Sequence, residues 1–220
     1  MSKKRVLSVM LLMAMVITLL GGCTGTFDAS AYTKAVLDVS YRERDRAIHG
    51  VDRSIKGAAE KIFTQNMDAT MKGFEALNFP EELETKFREL FENLAKNVKY
   101  TVGEAVEDQD GNFTVDVSIE PITIFDDTYE EFQKQAQDYA TKVANDVMNG
   151  ATVPSDEDMQ NNVYEIYYNI LKTTMDERIK YGEAETVTVH INKVDDGNVY
   201  EILKEDMVTL DEKMISQDIL

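Results

Sequence analysis

One cysteine and two histidines, Cys23, His49 and His190, are the only thiol and imidazole side chains in the sequence. A closed zinc site takes four thiolate or imidazole ligands, so these three cannot complete one without carboxylates. His49 falls at the predicted end of a helix and His190 alternates outward in a predicted strand, so capping and solvent-facing roles explain both. Asp108, Asp110 and Asn112 have the spacing that opens a calcium loop. Such a loop needs glycine at its sixth position and glutamate at its twelfth, and here those positions hold Phe113 and Ile119. A tight turn accounts for the three polar residues. The sequence contains no nucleophile elbow, zinc-binding helix motif, phosphate-binding loop or dinucleotide fingerprint. Paired carboxylates such as Asp126-Asp127 and Glu130-Glu131 occur, but a chain with 41 acidic residues forms such pairs by chance. Tyr164, Tyr167 and Tyr168 share one predicted helix and could line a pocket; core-edge packing is the simpler role for that spacing. No catalytic residue, metal ligand or cofactor is nominated.

The surroundings of Cys23 are more specific. Met1 to Arg5 is a short cationic start, and the fifteen residues Val6 to Leu20 carry no charge. That stretch falls short of the roughly 20 residues a helix needs to cross a bilayer, and the layout is that of a secretory signal. Leu20-Gly21-Gly22-Cys23 resembles the lipobox of bacterial lipoproteins. The resemblance implies transfer of a diacylglyceryl group to the sulfur of Cys23, cleavage between Gly22 and Cys23, and palmitate-type acyl chains holding the protein to the cell membrane on its extracytoplasmic side. Two or more chains give durable attachment where one holds only marginally. The implied organisation is a signal peptide over 1–22, the lipidated cysteine with a short tether over 23–27, and one extracytoplasmic domain over 28–220.

Without residues 1–22 the chain has 198 residues, enough for one domain with a real core. It then carries 20 basic against 41 acidic side chains, a surface that repels phosphate backbones and excludes nucleic acid as a partner. Tryptophan is absent, which weakens a sugar-stacking role without removing it, since tyrosine can also stack.

Helical spacing predicts helices over residues 28–48, with Ala31, Tyr32, Ala35, Val36 and Val39 on one face, 51–77, and 81–97, with Leu83, Phe87, Leu90, Phe91 and Leu94 on one face and Pro80 in its first turn. The period then changes to two. Tyr100 and Val102 open a strand, and Phe113, Val115, Val117 and Ile119 form a second, joined by the turn Asp108 to Asn112 and ended by Pro121. A helix capped by Asp126 or Asp127 should carry Tyr129, Phe132, Ala136, Tyr139, Val143 and Val147 before Asn149-Gly150 closes it. Ser155 and Asp158 have capping-box spacing for a further helix ending near Gly182. A second hairpin follows, with Val187, Val189 and Ile191 alternating and a return over Val199 to Ile202, then a last helix over Glu205 to Ser216. The two Asp-Gly-Asn turns look alike; shared turn geometry explains this as well as duplication does.

These elements predict an α+β fold with helices packed on one side of an antiparallel sheet made of two β-hairpins. The element order resembles the cystatin-like or NTF2-like superfold. Phe27 to Tyr32, Leu37 to Tyr41, Tyr100 to Ala105 and the strand to Pro121 resemble a group of uncharacterised lipoproteins from Gram-positive bacteria. The chain departs from that group at Arg42 to Arg46, which leaves the end of the first helix open. The resemblance implies compartment and fold, not mechanism. The leading expectation is a non-catalytic domain, tethered to the bilayer through the Cys23 acyl chains, that binds a small molecule, an envelope polymer or a membrane-protein partner. Two alternatives stand beside it: an envelope enzyme using carboxylates in a cystatin-like or NTF2-like pocket, and the solute-binding component of a transporter.

Overall fold

A computed structural model describes residues 27–42, 53–74, 79–194 and 199–216. It has the predicted α+β class. Strands β1 (Lys99–Glu107), β2 (Phe113–Glu120), β3 (Glu185–Val194) and β4 (Val199–Ile202) form one antiparallel sheet in the order β1-β2-β3-β4. The two hairpins join through β2 and β3, where Phe113 faces Ile191 and Val117 faces Val187. Alternation puts Val115, Val117, Ile119, Val187, Val189 and Ile191 on one buried face, while Asp116, Thr188 and His190 turn to solvent. The register shifts between Val102 and Ala105. There a Cβ on Gly103 would lie 3.0 Å from the carbonyl oxygen of Asp116, so the bulge keeps a glycine.

Among the described residues six helices accompany the sheet: α1 (Ala29–Arg42), α2 (Arg53–Phe74), α3 (Glu81–Lys96), α4 (Ile124–Met148), α5 (Asp156–Glu177) and α6 (Lys204–Met214). The α3 stripe is as predicted, with Leu83, Phe87, Leu90, Phe91 and Leu94 all buried. Each such side chain contributes about 1.5–3 kcal/mol on leaving water. The first helix differs from expectation. Ala31 is exposed, whereas Thr33, Leu37, Asp38, Ser40 and Tyr41 join Val36 and Val39 in the interior. A one-sided stripe fails here because α1 lies between the sheet and the other helices. The part of its predicted span beyond Arg42, His49 included, falls outside the described residues.

Several helix ends move, each for a local reason. Pro80 is the residue before α3 rather than in its first turn, since its ψ of 144° is extended. Neither Asp126 nor Asp127 caps α4. The helix starts earlier because Ile124 and Phe125 bury into the core, and Thr123 takes the cap position. Ser155 caps α5 as expected, its Oγ accepting from the amide of Asp158 at 3.1 Å. That helix stops at Glu177 instead of near Gly182, because the next residues bond back to the segment after β2: Gly182 N donates to Pro121 O at 2.8 Å and Thr123 N to Lys180 O at 3.2 Å. The last helix stops at Met214 because Ser216 N donates to Ile122 O at 2.8 Å. Among the described residues no helix is long and apolar enough to cross a membrane.

Helices α4 and α5 form an antiparallel hairpin inserted between β2 and β3. Gly150, at φ 95°, ends α4 in a conformation that favours glycine. Ile124, Phe125 and Thr128 are buried at the root of α4, and Ile170 and Leu171 are buried in the second half of α5. Beyond the root, the predicted α4 stripe from Tyr129 to Val147 faces α5 but stays half-exposed. At about 1.5 Å per residue, α4 is about 37 Å long, and most of that length is covered by one neighbouring helix.

Candidate functional site

Phe27, the first described residue, is docked. Its ring stacks on Tyr200 of β4 with centroids 3.7 Å apart and planes 6° from parallel. It also meets Phe113 at the start of β2 at 5.5 Å and Tyr32 of α1 at 5.4 Å. Asp28 Oδ1 then accepts from the amide of Ala31 at 2.8 Å, fixing the first turn of α1. The Tyr32 hydroxyl donates to the carbonyl of Tyr200 at 3.2 Å, and burial followed by the charge of Glu201 raises its pKa.

From this aromatic cluster α1 runs along β1. Ser30 Oγ donates to Gly103 O at 2.8 Å, and further along, Tyr100 OH donates to Asp38 Oδ1 at 2.6 Å. Asp38 is 2 % exposed and also pairs with Lys34 at 2.5 Å. Next to it, the buried Tyr41 hydroxyl donates to Asp211 of α6. Burial, and secondarily the Asp211 carboxylate, pushes the Tyr41 hydroxyl well above its ordinary value. These contacts tie α1 to β1 and α6, and the sequence reading missed them; the polar residues inside an otherwise apolar α1 are the signal that could have shown them.

At the other end of the sheet lie two open clefts. One, of about 440 Å³, is lined by Asn93, Asn97, Lys172, Asp176, Ile179 and Tyr181, together with Met175. The second, of about 250 Å³, is lined by Lys99, Tyr100, Thr101, Ser118 and Glu120. Their polar groups engage one another. Tyr181 OH donates to Asn97 O at 2.8 Å, Asn97 Nδ2 to Asn93 O at 2.8 Å, and Lys172 pairs with Asp176. Lys99 Nζ sits 3.6 Å over the Tyr181 ring and 3.7 Å from Glu120.

Among the described residues, those singled out in the sequence are not brought together into one site. Gly22, Cys23 and His49 lie outside the described residues. His190 is on the solvent face of β3, where Asp206 Oδ2 accepts from its backbone amide at 2.7 Å and lies 2.9 Å from Nδ1. Asp108 clasps its own turn, accepting from the amides of Asp110 at 2.8 Å and Asn112 at 2.9 Å, and the Asn112 side chain holds its pKa low. Asp126 accepts from the Ser216 hydroxyl, Asp127 from Thr123 Oγ1 at 2.8 Å, and Glu131 from Gln135 at 2.7 Å. The three tyrosines form the α5 seam. Tyr164 meets Phe79 edge-on at 4.6 Å, Tyr168 meets Phe87 at 5.6 Å, and Tyr167 meets Phe132 at 4.7 Å. Among the described residues no group of three or more His, Cys, Asp or Glu side chains is placed to hold a metal ion.

Together these features define an α+β domain whose four-stranded antiparallel meander is interrupted by a helical hairpin. No known protein family and no curated protein matches the chain. Among solved structures it is similar to a protein of Bacillus subtilis subsp. subtilis strain 168 described as a "putative lipoprotein (ycdA)", with a TM-score of 0.56 and 16% identity. The match covers 86% of this chain and 57% of that one, so this chain spans little more than half the length of its neighbour. At that identity the likeness is one of fold.

Proposed function

We propose that this chain is an extracytoplasmic lipoprotein, held to the cell membrane by acyl chains on Cys23 after cleavage behind Gly22, and that it binds a protein partner through the α4–α5 hairpin. The Leu20-Gly21-Gly22-Cys23 sequence supports the anchor, as does a fold like that of a protein described as a lipoprotein. The cystatin-like or NTF2-like likeness is supported by α1 lying along a four-stranded meander.

One observation carries the binding role. Three large apolar side chains stand out as exposed among the described residues, and two of them, Met148 at 76% and Val153 at 64%, flank the hairpin tip. Residues 124–177 hold twelve acidic side chains against three lysines. That charge opposes pairing with a second copy and favours a partner with a basic surface.

The other readings have less support. Binding of a small molecule favours an enclosed pocket with convergent polar groups, whereas both clefts are open and their polar groups engage one another. A carboxylate enzyme needs an acid of raised pKa, whereas Glu82 and Asp108 are moved down, by Lys86 and Asn112 respectively. Transporter solute receptors normally have two α/β lobes, and the described residues hold one antiparallel sheet.

A photo-crosslinking side chain at Val153, compared with one at Thr101 on the sheet, tests the binding role in cells. A discrete protein adduct from position 153 that Met148→Ser weakens is expected; adducts at 101 with none at 153 contradict the proposal. For the anchor, Cys23→Ser should abolish lipid labelling and globomycin should leave uncleaved precursor. Unchanged labelling of the variant contradicts it.

A further inference from the structure

Asn149 is the one asparagine in the sequence that is followed by glycine. The pair closes α4 at the hairpin tip, and both residues are exposed. A Cβ on Gly150 would meet nothing within 4 Å, so its φ of 95°, not crowding, calls for glycine at this turn. The missing side chain has a second consequence. It leaves the backbone nitrogen of Gly150 unshielded beside the side-chain carbonyl carbon of Asn149, a five-membered ring away along the chain. No hydrogen bond holds the Asn149 carboxamide among the described residues. In the closed turn the Gly150 amide donates to Val147 O at 3.0 Å and Ala151 N to Asp146 O at 2.9 Å. These bonds lie at the exposed end of a helix covered by one neighbour, where backbone bonds fray first.

We infer that Asn149 is a site of spontaneous covalent conversion to aspartate and isoaspartate, controlled by opening of the last turn of α4. When the turn opens, Gly150 N leaves Val147 O and attacks the side-chain carbonyl carbon of Asn149. The new C–N bond closes a succinimide ring, the bond to Nδ2 breaks, and ammonia departs with the amide proton. Water then adds to a ring carbonyl and cleaves its bond to nitrogen. Cleavage at the side-chain carbonyl restores the backbone and leaves aspartate. Cleavage at the main-chain carbonyl leaves isoaspartate, whose backbone is longer by a methylene. Either product places a carboxylate at the negative end of the α4 dipole, and the last turn carries no basic residue to offset it. The conversion therefore loosens the tip that presents Met148 and Val153. It depends neither on the lipid anchor nor on a partner.

The test holds the full-length protein, solubilised in detergent, in mildly alkaline buffer made with heavy-oxygen water, beside a sample unfolded in urea. Peptide mass spectrometry follows both. In the folded sample residue 149 should gain the amide-to-acid mass shift with a heavy oxygen, several-fold faster than any other asparagine, and fragmentation should find isoaspartate there. The unfolded sample should convert several-fold faster still at that position. Gly150→Ala should slow conversion at least several-fold by shielding the nitrogen. Asn149→Gln should abolish it while leaving the φ of Gly150 undisturbed, so the result does not hinge on a strained variant. No conversion at 149 in the folded protein, or another asparagine converting first, overturns the site. Equal rates in the folded and unfolded samples overturn the control by the α4 turn, and conversion that yields no isoaspartate overturns the succinimide route.

Discussion

Helices α3 and α4 are both amphipathic, with apolar side chains every three or four residues, and they differ in what covers them. Every stripe residue of α3 is buried, because α1, α2 and α5 together cover that one face. On α4 only Ile124, Phe125 and Thr128 reach the interior, and α5 covers the rest. Pattern alone therefore does not set stability; the number of neighbouring layers does. The body made of the sheet, α1–α3 and α6 can act as a rigid platform, while the distal half of the α4–α5 hairpin is left with exposed surface to offer a partner.

That contrast can be broken by mutation. Phe87→Ala should cost about 3–5 kcal/mol, the range for emptying a buried aromatic site, read as a shift in the urea midpoint. Phe132→Ala on α4 should cost clearly less, since its ring is half-exposed; equal losses would mean the hairpin is as deeply packed as the body. Tyr41→Phe should cost about 1–3 kcal/mol by removing a donor from the buried Asp211. It also has a pH signature. Burial raises the Tyr41 pKa above its ordinary 10.0, so the folded state holds the proton more tightly than the unfolded one. Stability is then intact below about pH 10 and falls as pH rises beyond it. Tyr41→Phe should flatten part of that alkaline loss in thermal melts, with Tyr167, also raised by burial and Asp126, supplying another part. Ser155→Ala should cost about 1 kcal/mol through loss of the α5 cap, the smallest effect of the set.

The sequence was most legible where one face is buried and the other wet. Leu83 to Leu94 on α3 and Val115 to Ile119 on β2 follow their helical and strand periods because each element has a single covered side. It was least legible in α1, where cover on several sides lets Thr33, Asp38 and Ser40 enter the interior; Thr33 donates back to Ala29 O of its own helix, and Asp38 gains the Tyr100 hydroxyl from β1. Phe27 read as tether for a similar reason, since its partners Phe113 and Tyr200 are far along the chain. The start of α4 was misplaced because acidic residues cap helices well, and here burial of Ile124 and Phe125 outweighs the cap. The α4 stripe was legible in direction but not in depth: periodicity identifies the face that turns inward without showing how many layers will cover it.

Native-state hydrogen exchange resolved by segment tests the central contrast most directly. Amides of Ala140 to Met148 should open with a free energy well below that of Leu83 to Leu94 and of β2, exchanging through local opening while the body stays closed. Protection of that α4 segment equal to that of α3 would contradict the account, because the hairpin would then be part of the platform.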